Sequence, residues 1–192
     1  MNTLDQVSSK QTALPAVARA AAQAAAERTQ YLTFMLSGEV FAIGILAIKE
    51  IIEYGSLTKV PMMPECIHGV ISLRGAVVPV MDLSARFCTP STEVTKRTCI
   101  VIVEIEADGE YRDVGVVVDA VNEVLEIAAA EIEPAPAFGA RISTDFIAGI
   151  GKVNGRFVIL LNVDRVLSTD DVGALAAIGT AAQAETVAAG AA

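Results

Sequence analysis

His68 is the sole histidine of the chain, and Cys66 stands two residues before it. On a strand that spacing puts both side chains on one face, where a thiolate and an imidazole can ligate the same metal ion. A closed site takes about four such ligands, and no further histidine or close cysteine is at hand. Cys66 therefore reads as a small core residue, and His68 as a loop or surface residue at the start of a strand. No nucleophile stands beside a base. Gly149, Gly151 and Gly155 look superficially like a phosphate cradle, yet they open a strand hairpin with no helix N-terminus directly behind it. Glu104 and Glu106 alternate on one strand face next to a turn, a pattern of solvated charge on the wet side of a sheet. The expectation is a non-enzymatic protein without metal or cofactor.

The elements that position these residues follow from composition and period. The chain has 192 residues, 53% of them apolar, which is enough for one full core or two small ones packed together. Its formal charge of −9 repels phosphate backbones and disfavours a nucleic-acid partner. Three cysteines, Cys66, Cys88 and Cys99, form no CxxC pair and fit a reducing cytoplasm. Neither a signal peptide nor a membrane-spanning helix is expected. Composition divides the chain into an Ala-rich head (residues 1–30), a body (31–168) and an Ala/Gly-rich tail (169–192). Head and tail read as frayed or transient helix.

Within the body, Leu32, Phe34 and Leu36, then Phe41, Ile43 and Ile45, recur at period two around a Ser37-Gly38-Glu39 turn and predict a hairpin. Arg97 to Ile105 and Tyr111 to Val118 predict a second one across Asp108-Gly109. Pro61 to Pro64 and Pro134 to Pro136 mark connecting loops. Short helices are expected over residues 84–87 and 164–167.

An internal repeat organises these pieces. Cys66 to Leu83 aligns without a gap on Phe146 to Val163, matching Gly69 with Gly149, Gly75 with Gly155 and Asp82 with Asn162, each 80 residues on. Upstream, Phe41 to Ile52 resembles Val114 to Leu125 at an offset of 73, which matches Glu50 with Glu123. Five short strands per copy are best closed into a small barrel, and two such barrels should pack side by side.

The copies differ where contact is at stake. Arg74 becomes Asn154, and His68 becomes Ala148. Asn-Gly suits a tight turn for its own sake. Arginine suits it less, so Arg74 either holds Glu50 in a bidentate pair, faces a partner, or is a solvated turn residue. Ile45, Ile48, Ile51 and Ile52 form a run too apolar for one face of a one-sided strand. They are buried between the barrels or exposed in a partner groove.

At these residues the chain resembles a known family. Gly69-Val-Ile-Ser-Leu-Arg-Gly-Ala-Val-Val-Pro-Val-Met-Asp-Leu83 is similar to the signature of CheW-like domains. The likeness continues through Ile48 to Ile51, Val60-Pro61 and Pro64, and it covers Tyr31 to Leu167. It implies an all-β fold of two intertwined five-stranded SH3-like barrels with short helices. It further implies a chemotaxis adaptor joining the cytoplasmic tip of methyl-accepting chemoreceptors to the regulatory domain of a CheA-type histidine kinase. Such a protein would be cytoplasmic, recruited to membrane-associated arrays without inserting into the membrane. Ile48 would line a groove receiving the receptor's helical hairpin. Glu50, Gly69, Arg74 and Gly75 would lie at or near that surface, with Gly69 admitting a foreign backbone for want of a Cβ. The remaining residues leave no room for a kinase ATP-binding or receiver domain. The alternative is an SH3-like module for peptides or nucleic acid, unrelated to chemotaxis.

Overall fold

The computed structural model describes residues 28–87, 90–107, 109–135 and 142–167. Expectations placed on the head up to residue 27, on Cys88, Asp108 and Pro136, and on the tail from residue 168 lie outside the described residues.

β1 (Arg28–Leu36) and β2 (Glu39–Gly44) form the first hairpin, paired from Tyr31 with Gly44 to Leu36 with Glu39. Ser37 and Gly38 take φ values of 50° and 85°, the two positive angles of a turn whose twist matches its strands. β1 begins ahead of the boundary that composition suggested, because Arg28, Thr29 and Gln30 pair with Ala128, Ile127 and Glu126. A 3-10 turn over Ile45–Ala47 replaces the end of the expected strand and leads into β3 (Ile48–Glu53). β4 (Ile67–Leu73), β5 (Ala76–Asp82) and α1 (Leu83–Arg86) complete the first copy. The second comprises β6 (Cys99–Ala107), β7 (Glu110–Val118), β8 (Ala120–Ala128), β9 (Ile132–Glu133), β10 (Ile147–Val153), β11 (Arg156–Leu161) and α2 (Val163–Leu167).

The sheets mix the two copies. One runs β8-β1-β2-β11-β10-β9 and the other β3-β6-β7-β5-β4. β3 thus leaves the first hairpin to pair with β6, and β8 leaves the second to pair with β1. Both repeat offsets meet in equivalent parallel rungs: Val80 beside Gly115, and Leu160 beside Ala42. Past β3, Thr58 and Val70 exchange backbone hydrogen bonds of 2.9 Å, bringing the chain back to β4. β9 does the same for β10 through Glu133 with Ile150 and Ile132 with Gly151. With β8 and β9 taken as one bent strand, both sheets are five-stranded barrels, and closure removes most of their edges.

Three apolar clusters follow from this wrapping. The first barrel, built on β1 and β2, is filled by Ala42, Ile127, Val158 and Leu160, and the second, built on β6 and β7, by Val78, Val80, Ile100, Ile102 and Val117. The largest cluster draws on both sheets and lies between the barrels, with Phe34, Phe41 and Phe87 stacked at centroid distances of 6.4 and 5.9 Å. β6 supplies Ile100 and Ile102 to one core and Val101, Val103 and Ile105 to another. A strand buried on both faces needs no polar alternation, which is why this segment is a continuous apolar run.

Candidate functional site

β3 starts on a bulge: Ile48 faces Val103 and Glu50 faces Ile102, with Lys49 the extra residue between them. Glu50 therefore shares the inward side with Ile102 and lies at an open end of the second barrel. Arg74 and Gly75 form the β4–β5 turn with φ values of 53° and 87°. From there Arg74 Nη2 donates to Glu50 Oε2 at 3.1 Å. The contact runs through one nitrogen and one oxygen, not the bidentate fork open to the sequence. Arg74 is 80% exposed, so the pair adds little to stability and leaves guanidinium donors facing outward.

The bulge aims Lys49 at two more carboxylates. Glu104, two residues beyond Ile102, and Asp113, two before Gly115, stand directly opposite each other on β6 and β7. A Cβ on Gly115 would meet Ile100 and Val80 inside the barrel, so this side of both strands faces its axis. Lys49 Nζ lies 2.5 Å from Glu104 Oε1 and 2.7 Å from Asp113 Oδ1. Like charges placed opposite repel, and the ammonium between them offsets this. Asp113 and then Glu104 hold Lys49 above its ordinary value of 10.5. Glu104, which reads from sequence as a solvated charge, is thus ion-paired together with Asp113 through Lys49, beside the separate Arg74–Glu50 pair.

The first barrel has no such ion pairs at the matching residues. Asn122 and Asn154 stand where Lys49 and Arg74 do. Glu123 is instead held by its backbone: the buried Thr33 hydroxyl donates to its carbonyl at 2.7 Å and accepts from its N–H at 3.2 Å.

The four isoleucines divide. Ile45 and Ile48 pack against the core between the barrels, Ile52 joins the filling of the second barrel, and Ile51 is 43% exposed. Sequence reasoning passed over Leu46, which the 3-10 turn leaves 97% exposed. Its counterpart, Asp119, accepts a 2.7 Å hydrogen bond from Ser37 N–H. That contrast between copies was the available signal. Gly69 has φ of 147°, and a Cβ there would run into the carbonyl oxygen of Thr58. The backbone that approaches it closely is this chain's own, at the barrel closure. Gly75 meets nothing within 4 Å and is explained by its turn.

His68 corrects an expectation. It lies within β4, its side chain only 20% exposed, with Nε2 3.3 Å from Asp82 Oδ2 and its ring edge-on to Tyr54. Asp82 is fully buried at the N-terminus of α1, where Oδ1 accepts from Ser84 N–H at 2.9 Å. It also accepts from Thr92 N–H at 2.8 Å and from the Thr92 hydroxyl at 3.1 Å. Burial alone would push its carboxyl up, but His68 and Thr92 outweigh that and hold it below the ordinary range. Burial, then Asp82, raises Tyr54. Asn162, matched to Asp82 in the repeat, plays the same part for α2, its Oδ1 accepting from Arg165 N–H. Among the described residues, no three His, Cys, Asp or Glu side chains gather to hold a metal ion.

The family model for the CheW-like domain matches residues 30–171. The chain is 33% identical over 143 residues to chemotaxis protein CheW of Klebsiella aerogenes, covering 74% of this chain and 84% of that one. It is 37% identical over 142 residues to the Bacillus subtilis protein of the same name, covering 72% and 86%. Among solved structures, the scaffolding protein TtCheW of Thermoanaerobacter tengcongensis superposes with a TM-score of 0.68 at 34% identity, covering 76% of this chain and 91% of that one.

Proposed function

The chain belongs to the CheW-like family of chemotaxis scaffold proteins, and from that premise we propose that it couples chemoreceptors to a CheA-type histidine kinase. The observation that carries the reading is the asymmetry between two otherwise matched barrels. Of the two matched positions, the one at the end of the second barrel holds a charged pair, Arg74 with Glu50, where the first barrel has Asn154 and Glu123, and it lies beside an apolar rim of Ile48 and the exposed Leu46. A scaffold with two similar barrels needs such a difference to hold two unlike partners in fixed orientation. The receptor's helical tip would lie along the Leu46–Ile48 rim in helix-in-groove fashion, with its polar side on Arg74 and Glu50. The kinase regulatory domain would take another barrel face. Signalling would then follow from differential contacts that shift the kinase between states, with no chemistry by this chain. The adaptor would work in the cytoplasm, recruited to receptor arrays, with the body, extended from residues 31–168 to begin at Arg28 where β1 starts, sufficient for both contacts.

The test is capture of a receptor cytoplasmic fragment and of a kinase regulatory domain by the full chain. Binding of both, with loss of one on a folded Arg74→Ala variant, is the expected result. Failure of the wild type to bind either would sink the reading.

A further inference from the structure

Beyond Val103 and Gly115 the β6–β7 hairpin leaves the barrel wall. β3 follows β6 only as far as Val103, and β5 follows β7 only from Gly115 to Val117. Glu104 with Asp113, Ile105 with Arg112, Glu106 with Tyr111 and Ala107 with Glu110 therefore pair only with each other, as a two-stranded ribbon. The first hairpin lacks this extension, because β8 flanks β1 up to Met35, next to the turn. One face of the ribbon is anchored, since Ile105 is buried in the core between the barrels. By alternation the other face carries Glu104, Glu106, Tyr111 and Asp113. Tyr111 on that face is 72% exposed.

An aromatic ring left bare on an anchored ribbon contributes no burial of its own. Beside it, two opposed carboxylates share a single lysine, while Arg112 is engaged with Glu110 at 3.3 Å and Arg74 with Glu50. An arginine fits that combination of ring and carboxylate, because a guanidinium stacks on an aromatic face and grips a carboxylate in the same plane. We propose that this face of the β6–β7 ribbon is a docking surface for a partner segment that presents an arginine. The arginine lies over Tyr111 and takes Asp113 and Glu104 in competition with Lys49. The surface is separate from the Arg74–Glu50 pair and stands independently of the coupling reading.

The experiment is a titration of the isotope-labelled full chain, followed by NMR, with a short capped alanine peptide carrying two arginines. Lysine and glutamate versions serve as comparisons. Amide shifts are expected to be confined to residues 104–113 and Lys49, larger with arginine than lysine and absent with glutamate. Tyr111→Ala should weaken binding about two- to fivefold, the loss of one exposed cation–π contact. Lys49→Gln should tighten it by removing the internal competitor. Shifts spread evenly over the acidic surface, equal affinity for lysine and arginine, or an unchanged affinity in Tyr111→Ala would each overturn the proposal. Should Lys49→Gln disturb the ribbon itself, Tyr111→Ala decides alone, because its ring packs against no core.

Discussion

Arg74 donates to Glu50 at 3.1 Å across the open end of one barrel, while Asn154, its counterpart 80 residues on, brings no charge to Glu123. Since the Arg74 side chain is 80% exposed, water already solvates most of it, and the pair is a poor source of stability. Arg74→Ala and Glu50→Gln should each change the unfolding free energy by less than about 0.5 kcal/mol. Both should weaken capture of a receptor fragment about tenfold, the scale of one well-placed interface residue. Urea denaturation and a binding titration on the same samples separate the two effects. A large loss of stability would show that the pair is structural instead.

Gly69 and Gly75 both have positive φ but for different reasons, and substitution should tell them apart. At Gly69 a Cβ collides with the Thr58 carbonyl, so Gly69→Ala must push β4 from the closing bridge between Thr58 and Val70. Strain of about 1–3 kcal/mol and weakened bridge bonds of about 1 kcal/mol each predict a loss of about 2–4 kcal/mol. Gly75→Asn enters open space at a φ of 87°, in the left-handed region that asparagine visits more readily than other side chains. It should cost less than about 1 kcal/mol. Thermal melts of the two variants check the order, and the reverse order would contradict the closure argument.

Much of this architecture was readable from local chemistry. Turn residues with positive φ, Ser37-Gly38 and Arg74-Gly75, announced their hairpins, and matched glycines 80 residues apart announced the duplication. What periodicity could not supply was which copy each strand pairs with. The exchange of β3 and β8 is fixed by packing across long sequence separations, such as Ile52 beside Ile100. The same limit applies at the site. The pairing of Arg74 with Glu50 was open to the sequence as one of three alternatives, but a bulge that turns Lys49 toward Glu104 and Asp113 depends on register. His68 was misplaced because its partner, Asp82, sits on the neighbouring strand and no local pattern joins them.

Leu46 offers a cleaner probe of the apolar rim than Ile48. Ile48 packs against the core between the barrels, so a charge there would destabilise the fold while disturbing any partner. Leu46 is 97% exposed and supports almost nothing at home. Leu46→Ser should leave the melting temperature nearly unchanged, since surface changes stay within about 0.5 kcal/mol. Capture of the receptor fragment should fall several-fold while capture of the kinase regulatory domain persists. Equal loss of both partners would argue against a receptor-specific rim.

Acid should expose the role of Asp82. Its folded-state carboxyl is held below the ordinary value of 3.8, with His68 and Thr92 outweighing the effect of burial. A group whose folded pKa is depressed contributes stability that is fully present above its unfolded value. That contribution is lost as pH falls through the folded one. The unfolding free energy should therefore drop below about pH 3.8, the ordinary value, by more in the wild type than in Asp82→Asn. At neutral pH Asp82→Asn should already be less stable by about 1–3 kcal/mol, because an amide cannot accept from Ser84, Thr92 and His68 together. The loss should first appear as faster amide exchange at Thr92 and Ser84, the donors this carboxylate holds. Chemical denaturation from pH 2 to 7, run on both proteins, measures the difference. Parallel curves would mean that the buried carboxylate is not what ties α1 and the Thr92 segment to β4.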